Sequence, residues 1–423
     1  MILKKTQAKN GFSTPTQATV SAALVLGILL LPALAASKSP HQPVYTVLHR
    51  FSGGDGANPA ASLIQDPSGN LYGTTQYGGS FNYGTVFKLE PSGKETVLHS
   101  FDGADGMWPT AALIPDAAGA LYGTTFDGGT REGGSCVHGC GTVFKIDSAG
   151  KFTVLYAFTG GADGRNPAAN LILDSAANLY GTTYGGGNFC SLLVDGCGVV
   201  FKLNQHGKET VLYSFTETPD GGQPSGGLVR DEAGNLYGTT QFQGATGYFG
   251  TVFELDSAGV ETILYNFTDG TDGAGPQGTL VRDAGGNLYG ETQSGGDLSV
   301  QNCVSGLWKG CGVLFKLAPS GEETILYTFT DGSDGRGPVG GLLRDRARNL
   351  YGVAGSCCGG LLFKLSVNGK LHVLHTFEAP TGILPFAGVI MDSAGNLYGT
   401  AWEGGNSGCV AIQGCGVVFK LTP

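Results

Sequence analysis

Charged residues are scarce in this chain: Asp, Glu, Lys and Arg make up 14% of 423 residues, about half of the usual quarter. What charge there is leans acidic, with 34 Asp and Glu against 24 Lys and Arg and a net charge of −10. That balance speaks against nucleic acid and anionic membrane surfaces as partners. Proline is limited to 18 residues and no Gly-X-Y period runs through the chain, so neither Pro-rich disorder nor a collagen-like helix fits. Beyond residue 34 no apolar run approaches the length of a membrane-spanning helix. Glycine, by contrast, is abundant at 74 residues, more than twice its average share of about 7%. High glycine with low charge excludes an ordinary helical enzyme domain. Aromatics at 10% and a mean hydropathy of +0.04 still supply apolar surface for a large core. A turn-rich, all-β protein remains.

Residues 1–35 read as a secretory signal peptide. Lys4, Lys5 and Lys9 precede the apolar run Ala18 to Leu34, and Ala33-Leu34-Ala35 offers an A-x-A cleavage site. The run is long enough to rival as an uncleaved anchor, but Pro32 and the small residues after it fit cleavage. Removal of this segment leaves 21 basic and 34 acidic residues, a net charge of −13. Residues 36–43 then form a short linker. Ten cysteines fall in five close pairs: Cys136/Cys140, Cys190/Cys197, Cys303/Cys311, Cys357/Cys358 and Cys409/Cys415. On an exported chain such pairs read as local disulfides. Zinc would want two pairs converging or histidines beside them, and only His138 lies inside a pair. Adjacent Cys357 and Cys358 form either a strained vicinal bond or two free thiols, because neighbouring Cα atoms sit only about 3.8 Å apart.

Self-similarity organises the rest. GNLYGTT at Gly69 to Thr75 returns six times, ending with GNLYGTA at Gly395 to Ala401; GTVFKL at Gly84 to Leu89 returns up to Leu421; ETVLHSF at Glu95 to Phe101 has its first copy at Tyr45 to Phe51. Each unit holds four short β-type segments bounded by Gly, Asp and Asn. In GTVFKL, Phe87 and Leu89 share one face while Val86 takes the other, so the sheet must be covered on both sides. Units of about 50 residues covered by their neighbours are propeller blades. The spacing predicts one seven-bladed β-propeller over residues 44–423, with four antiparallel strands, A to D, per blade. The chain starts on a D strand and stops on a C strand, so residues 44–51 should complete the blade that contains 416–421.

Antiparallel order places the A-B and C-D turns on one rim, and the B-C loops with the D-to-A crossings on the other. The first rim is uniform. Asp66, Asp116, Asp174, Asp231, Asp283, Asp345 and Asp392 end strand A in every unit and read as turn formers. The second rim varies and carries every cysteine pair, together with Trp108, Trp308 and Trp402. Its crossings hold an Asp-Gly followed by Pro, as at Asp105, Asp272 and Asp334; the seventh keeps Pro385 but lacks the acid. Loops on a rigid scaffold concentrate function, so this rim is the expected ligand face. Trp108, Trp308 and Trp402 are stacking candidates for sugar rings, against the plain alternative that each caps its own blade. Asp105, Asp272 and Asp334 complete the candidate site. The Asp-Gly-x-Asp-Gly runs at Asp102 to Gly106, Asp269 to Gly273 and Asp331 to Gly335 offer oxygen ligands for calcium, but lack the downstream Glu of a dedicated loop. No other cofactor is expected. No nucleophile with a paired base is recognisable, and His138 is the single histidine whose segment lies on this face.

In combination, GNLYGTT, GTVFKL, ETVLYSF and DGxDGxxP resemble the GloVer tandem repeat of bacterial exported proteins, over essentially the whole mature chain; the DxxGN turn alone looks like NHL-type propellers. The resemblance implies a secreted, periplasmic or cell-surface protein, often retained by a C-terminal anchor. This sequence departs from that pattern by ending on its last strand, which leaves release or N-terminal retention. No catalytic residues carry over. The expectation is a monomeric, non-enzymatic propeller that binds an extracellular glycan or protein on the variable rim. The alternatives are a secreted lyase, lactonase or glycosidase using acidic rim residues with calcium, and a purely structural envelope module.

Overall fold

The structure, a computed structural model, describes residues 42–423 apart from 130–135, 191–195, 217, 301–302, 306–307, 356–358, 407–408 and 410–413, with only the backbone described for Val304, Ser305 and Trp308. The expected signal segment and the Cys357/Cys358 pair lie outside the described residues. Among those described, the secondary structure is all β: seven four-stranded antiparallel sheets and one added hairpin. Blade I runs from the inner strand Ile64–Gln65 through Leu71–Thr75 and Thr85–Leu89 to the outer strand Glu95–Ser100. Five further blades repeat this order. Blade VII takes Ile390–Met391, Leu397–Ala401 and Val417–Thr422 from the end of the chain and its outer strand, Val44–Arg50, from the beginning. Val44 pairs with Thr422 and Tyr45 with Leu421. The ring is closed as the repeat phase requires.

The seams between blades explain the sequence repeats. At the end of each outer strand a fully buried Phe meets, edge to face, the Phe of the third strand in the next blade. Phe51 and Phe87 have centroids 5.1 Å apart, Phe101 and Phe144 5.3 Å, Phe158 and Phe201 5.2 Å, and the series runs round to Phe377 and Phe419 at 5.2 Å. These T-shaped pairs add roughly 0.5–1.5 kcal/mol each beyond area burial. The glycine of LYGTT makes room for the ring: a Cβ on Gly73 would stand 2.7 Å from Phe87 Cζ and 2.9 Å from Leu63 Cδ2. Any side chain there would push the Phe out of the seam, which accounts for Gly at this place in all seven units.

The uniform rim is built by its aspartates. Asp66 Oδ1 accepts the backbone N–H groups of Ser68 and Asn70, while Oδ2 accepts the Asn70 amide and the Tyr72 hydroxyl. Burial pushes this carboxyl up, but the donated hydrogen bonds outweigh it and hold it below its ordinary value. The same Asp to Tyr bond recurs in each remaining blade, from Asp116 with Tyr122 to Asp392 with Tyr398.

Two blades depart from the pattern. The inner strands of V and VI run for nine residues, Ala274–Arg282 and Arg336–Arg344, where the other five have two. Each long strand is interrupted by a bulge, with the register jumping from Gln277↔Glu291 to Val281↔Tyr289 and from Val339↔Val353 to Leu343↔Tyr351.

Candidate ligand-binding rim

Every crossing reaches the rim through a residue with left-handed backbone immediately before its proline. These are Asn58, Trp108, Asn166, Gln223 and Leu384, with glycines Gly275 and Gly337 in blades V and VI. Each backbone N–H donates to the preceding blade's loop, and in four seams the acceptor is the carbonyl of a disulfide cysteine: Cys415, Cys140, Cys197 and Cys311. Cys136–Cys140, Cys190–Cys197, Cys303–Cys311 and Cys409–Cys415 are all bonded. The disulfides therefore brace the next blade's crossing as well as their own loops. Four such bonds belong to an oxidising, extracellular or periplasmic setting, and no helix among the described residues is long and apolar enough to cross a membrane.

The crossing acids serve the loops that carry them. Asp272 is buried; its Oδ2 accepts the Thr268 N–H at 2.9 Å and the Tyr265 hydroxyl at 3.3 Å, and its Oδ1 the Thr268 hydroxyl at 2.7 Å and the Gly270 N–H at 3.1 Å. Asp334 repeats this with Thr330, Tyr327 and Gly332. Asp105 accepts the Asp102 N–H and faces His99 Nε2 at 2.7 Å. Burial pushes the Asp105 carboxyl up, yet the His99 and Asp102 bonds prevail and hold it below the ordinary carboxylate value. A ligand or calcium ion at these oxygens would have to compete with internal donors. No group of three or more His, Cys, Asp or Glu side chains among the described residues could hold a metal ion.

The tryptophans are placed differently. Trp402 is half-buried, donates from Nε1 to Gln76 Oε1 at 3.1 Å, and meets Phe386 edge-on with centroids 5.9 Å apart. Next to Gln76, Tyr77 meets Trp108 at 6.1 Å, and Trp108 in turn meets His138 at 6.1 Å. An aromatic arc thus runs from Phe386 through Trp402 and Tyr77 to Trp108 and His138, across blades VII, I and II. Trp108 holds a φ of +58°, a backbone state costing roughly 1–2 kcal/mol for a residue with a Cβ. Trp308 lies on the second strand of the hairpin Val304–Ser305 and Trp308–Lys309, in the blade V insert, away from the elements that build this arc. At the far end, burial raises the Asp127 carboxyl above its ordinary value, with Asn166, His138 and Arg165 offsetting part of the effect.

Sequence reasoning missed two features. The first is a cavity of about 320 Å³ lined by residues that follow the crossings, so it opens toward this rim where the seven inner strands converge. Its lining carries no charged side chain. Asn170, Ser225, Gln277, Thr279 and Gln293 form a polar wall; Ala60, Ala61, Val339, Phe386 and Ala387 form an apolar one. The second is a set of exposed aromatic rings. Phe81 (57%), Phe189 (78%), Tyr248 (44%) and Phe386 (45%) are the large aromatic side chains left exposed among the described residues, and all four lie on this rim. Their sequence signal was their place in Gly- and Asn-rich loops between strands B and C, or directly after a crossing proline.

Behind the cavity wall sits Glu291. It replaces the first Thr of LYGTT in blade V alone, and it is fully buried. Its Oε1 accepts the Gly341 N–H from blade VI at 2.7 Å, whereas Oε2 has no partner. Burial drives this carboxyl up to about 8, against a smaller opposing contribution from the Gly341 bond. At neutral pH it is mainly protonated. In blade VII the matching Thr400 hydroxyl instead donates to the Ala61 carbonyl of blade I at 3.2 Å.

With this architecture in view the relationships are clear. The propeller is built from Gloeobacter/Verrucomicrobia repeats, whose family model matches residues 37–138, 128–304 and 303–423, and the chain belongs to that family. Among solved structures it is similar to virginiamycin B lyase from Staphylococcus aureus, at 12% identity with a TM-score of 0.57, covering 90% of this chain and 100% of that one. A 6-phosphogluconolactonase-like protein from Bacteroides uniformis aligns at 17% identity with a TM-score of 0.49, over 78% of this chain and 88% of that one. A gluconolactonase from Xanthomonas campestris aligns at 15% identity and 0.42, over 78% and 89%. At these identities the likeness is one of fold. No curated protein sequence matches the chain.

Proposed function

We propose that the protein is an exported, non-catalytic propeller that binds a neutral extracellular glycan along the rim formed by the B-C loops and crossings. The observation that carries this reading is the aromatic arc from Phe386 to Trp108, on a rim whose B-C loops also expose the rings of Phe81 and Phe189. Separate aromatic faces set among Gly and Asn suit the C–H faces of sugar rings, whereas a protein partner favours a contiguous apolar centre. The acidic net charge of −10 disfavours polyanionic glycans.

A glycan-array screen of the purified protein tests this. Wild type is expected to retain neutral oligosaccharides, and Trp108→Ala and Trp402→Ala each to weaken binding at least about tenfold while the protein stays folded at the assay temperature, in line with loss of a stacking contact. Absence of any neutral glycan bound by wild type, or full retention by both variants, would sink the reading.

A further inference from the structure

We infer that the axial cavity is an end-binding subsite: it takes the terminal ring of an uncharged glycan whose following units lie on the aromatic arc. This rests on the glycan reading above and specifies which part of the chain is recognised. Three observations converge on it. The lining combines two polarities, with Asn170, Gln277 and Gln293 from blades III and V and Ala60, Val339 and Phe386 from blades I, VI and VII. A pyranose has the same division, since its hydroxyls project from the ring edge while its C–H groups form an apolar face. Gln277 Nε2 donates to Gln293 Oε1 at 3.3 Å, which leaves the Gln277 carbonyl oxygen and one or more Gln293 N–H donors for hydroxyl groups. Phe386 belongs both to the cavity lining and to the arc, through its contact with Trp402, so the two sites are continuous.

The cavity is also walled on its side at the seam of blades V and VI. Its walls converge between blades V and VI, where a Cβ on Gly278 would stand 2.5 Å from the Gly341 nitrogen. A chain can enter from the rim but has no comparable gap through which to leave at that seam. Selection against charge follows from the lining. A terminal uronate would place a carboxylate among uncharged groups, with no Lys or Arg lining the cavity to receive it.

The test compares linear neutral gluco-oligosaccharides with cyclic ones of the same linkage, which offer the same ring faces but no terminus. Titration calorimetry on wild type is expected to show the linear form binding at least about tenfold more tightly. Ala168→Leu narrows the cavity from a partly exposed lining position and should abolish that preference while leaving binding of the cyclic form intact. Gln293→Ala should reduce the preference without changing thermal unfolding. A linear oligosaccharide oxidised to a terminal uronate should behave like the cyclic form. Equal binding of linear and cyclic forms by wild type would overturn the end-binding inference while the rim reading survives. Binding of neither form would overturn both. An Ala168→Leu variant that stays folded and keeps the full linear preference would also overturn the inference.

Discussion

Blades V and VI and the other five blades obey one set of seam rules at their outer edges and diverge near the axis. In blade VII a short inner strand is followed by a second strand whose Thr400 hydroxyl bridges to the neighbouring crossing. In V and VI the inner strands run for nine residues instead of two and their backbones approach one another at Gly278 and Gly341, and in V a buried carboxyl replaces the hydroxyl. The outer strands of both groups still end in the same interblade Phe pair, for example Phe329 with Phe363 at 5.5 Å. A tandem array can hold its scaffold constant through the third and outer strands of each blade and reserve its individuality for the axis and the rim loops.

The largest expected effect breaks the comparison at its closest approach. Gly278→Ala would drive a Cβ into the Gly341 backbone at a φ of +76° and should destabilise by roughly 2–4 kcal/mol in chemical denaturation. Gly119→Ala on the uniform rim has a similar φ, +82°, but nothing within 4 Å, and should cost only about 1 kcal/mol. Equal losses would mean that the axial seam is no tighter than an ordinary turn.

A smaller effect sharpens the contrast at Glu291. Glu291→Leu leaves the Gly341 N–H without its acceptor and should cost about 1–3 kcal/mol. Glu291→Gln keeps an acceptor oxygen and should match wild type near pH 4, gain on it as pH rises from about 4.5 to 8 while the unfolded wild-type chain releases the proton that the folded carboxyl retains, and keep a constant advantage above that. In blade VII, Thr400→Val removes a donor from a carbonyl acceptor and should cost less than about 1.5 kcal/mol.

The smallest effects lie at the outer edges. Burial, followed by the nearby crossing acids, drives Glu95, Glu209, Glu261 and Glu323 up to about 7. A carboxyl raised in the folded state keeps its proton there after the unfolded chain has released it, so stability should fall as pH rises from about 4.5 to 8 and then level off. Thermal unfolding in low-salt buffer should show this slope. Converting the four residues to Gln should flatten it, leaving the portion due to Glu291. A midpoint that rises between pH 5 and 8 would contradict the assignment.

The scaffold was legible because the residues that make it recur: the Asp that folds each turn, the Gly that admits each Phe, and the Phe itself. The phase of the strings even disclosed how the ring closes. The rim was legible only as a location. The partners of Asp272 and Asp334 include tyrosines seven residues upstream on the outer strand, a contact that depends on how the crossing folds back. The axial cavity was hidden for a different reason. Ala60, Thr110, Gln277 and Phe386 each directly follow a crossing proline, yet they differ in residue type, and a repeat consensus carries no signal at such a position. Glu291 was visible as a departure from LYGTT, but its burial is set by Gly341 in the following unit.

Ring closure also dictates a temporal order. The strand Val44–Arg50 is made before any of its partners, and it pairs with Val417–Thr422 only after the entire repeat array has been produced. Until then its edge is unpaired, and Tyr45 has neither Phe377 nor Phe419 to pack against, contacts that close at 5.9 and 5.4 Å in the finished ring. Contacts between such distant segments form slowly and leave strand edges open to wrong pairing meanwhile. Completion of blade VII is therefore the step at which a row of semi-independent sheets becomes a single cooperative body, and a chain stalled short of it would resemble an open necklace more than a weakened ring.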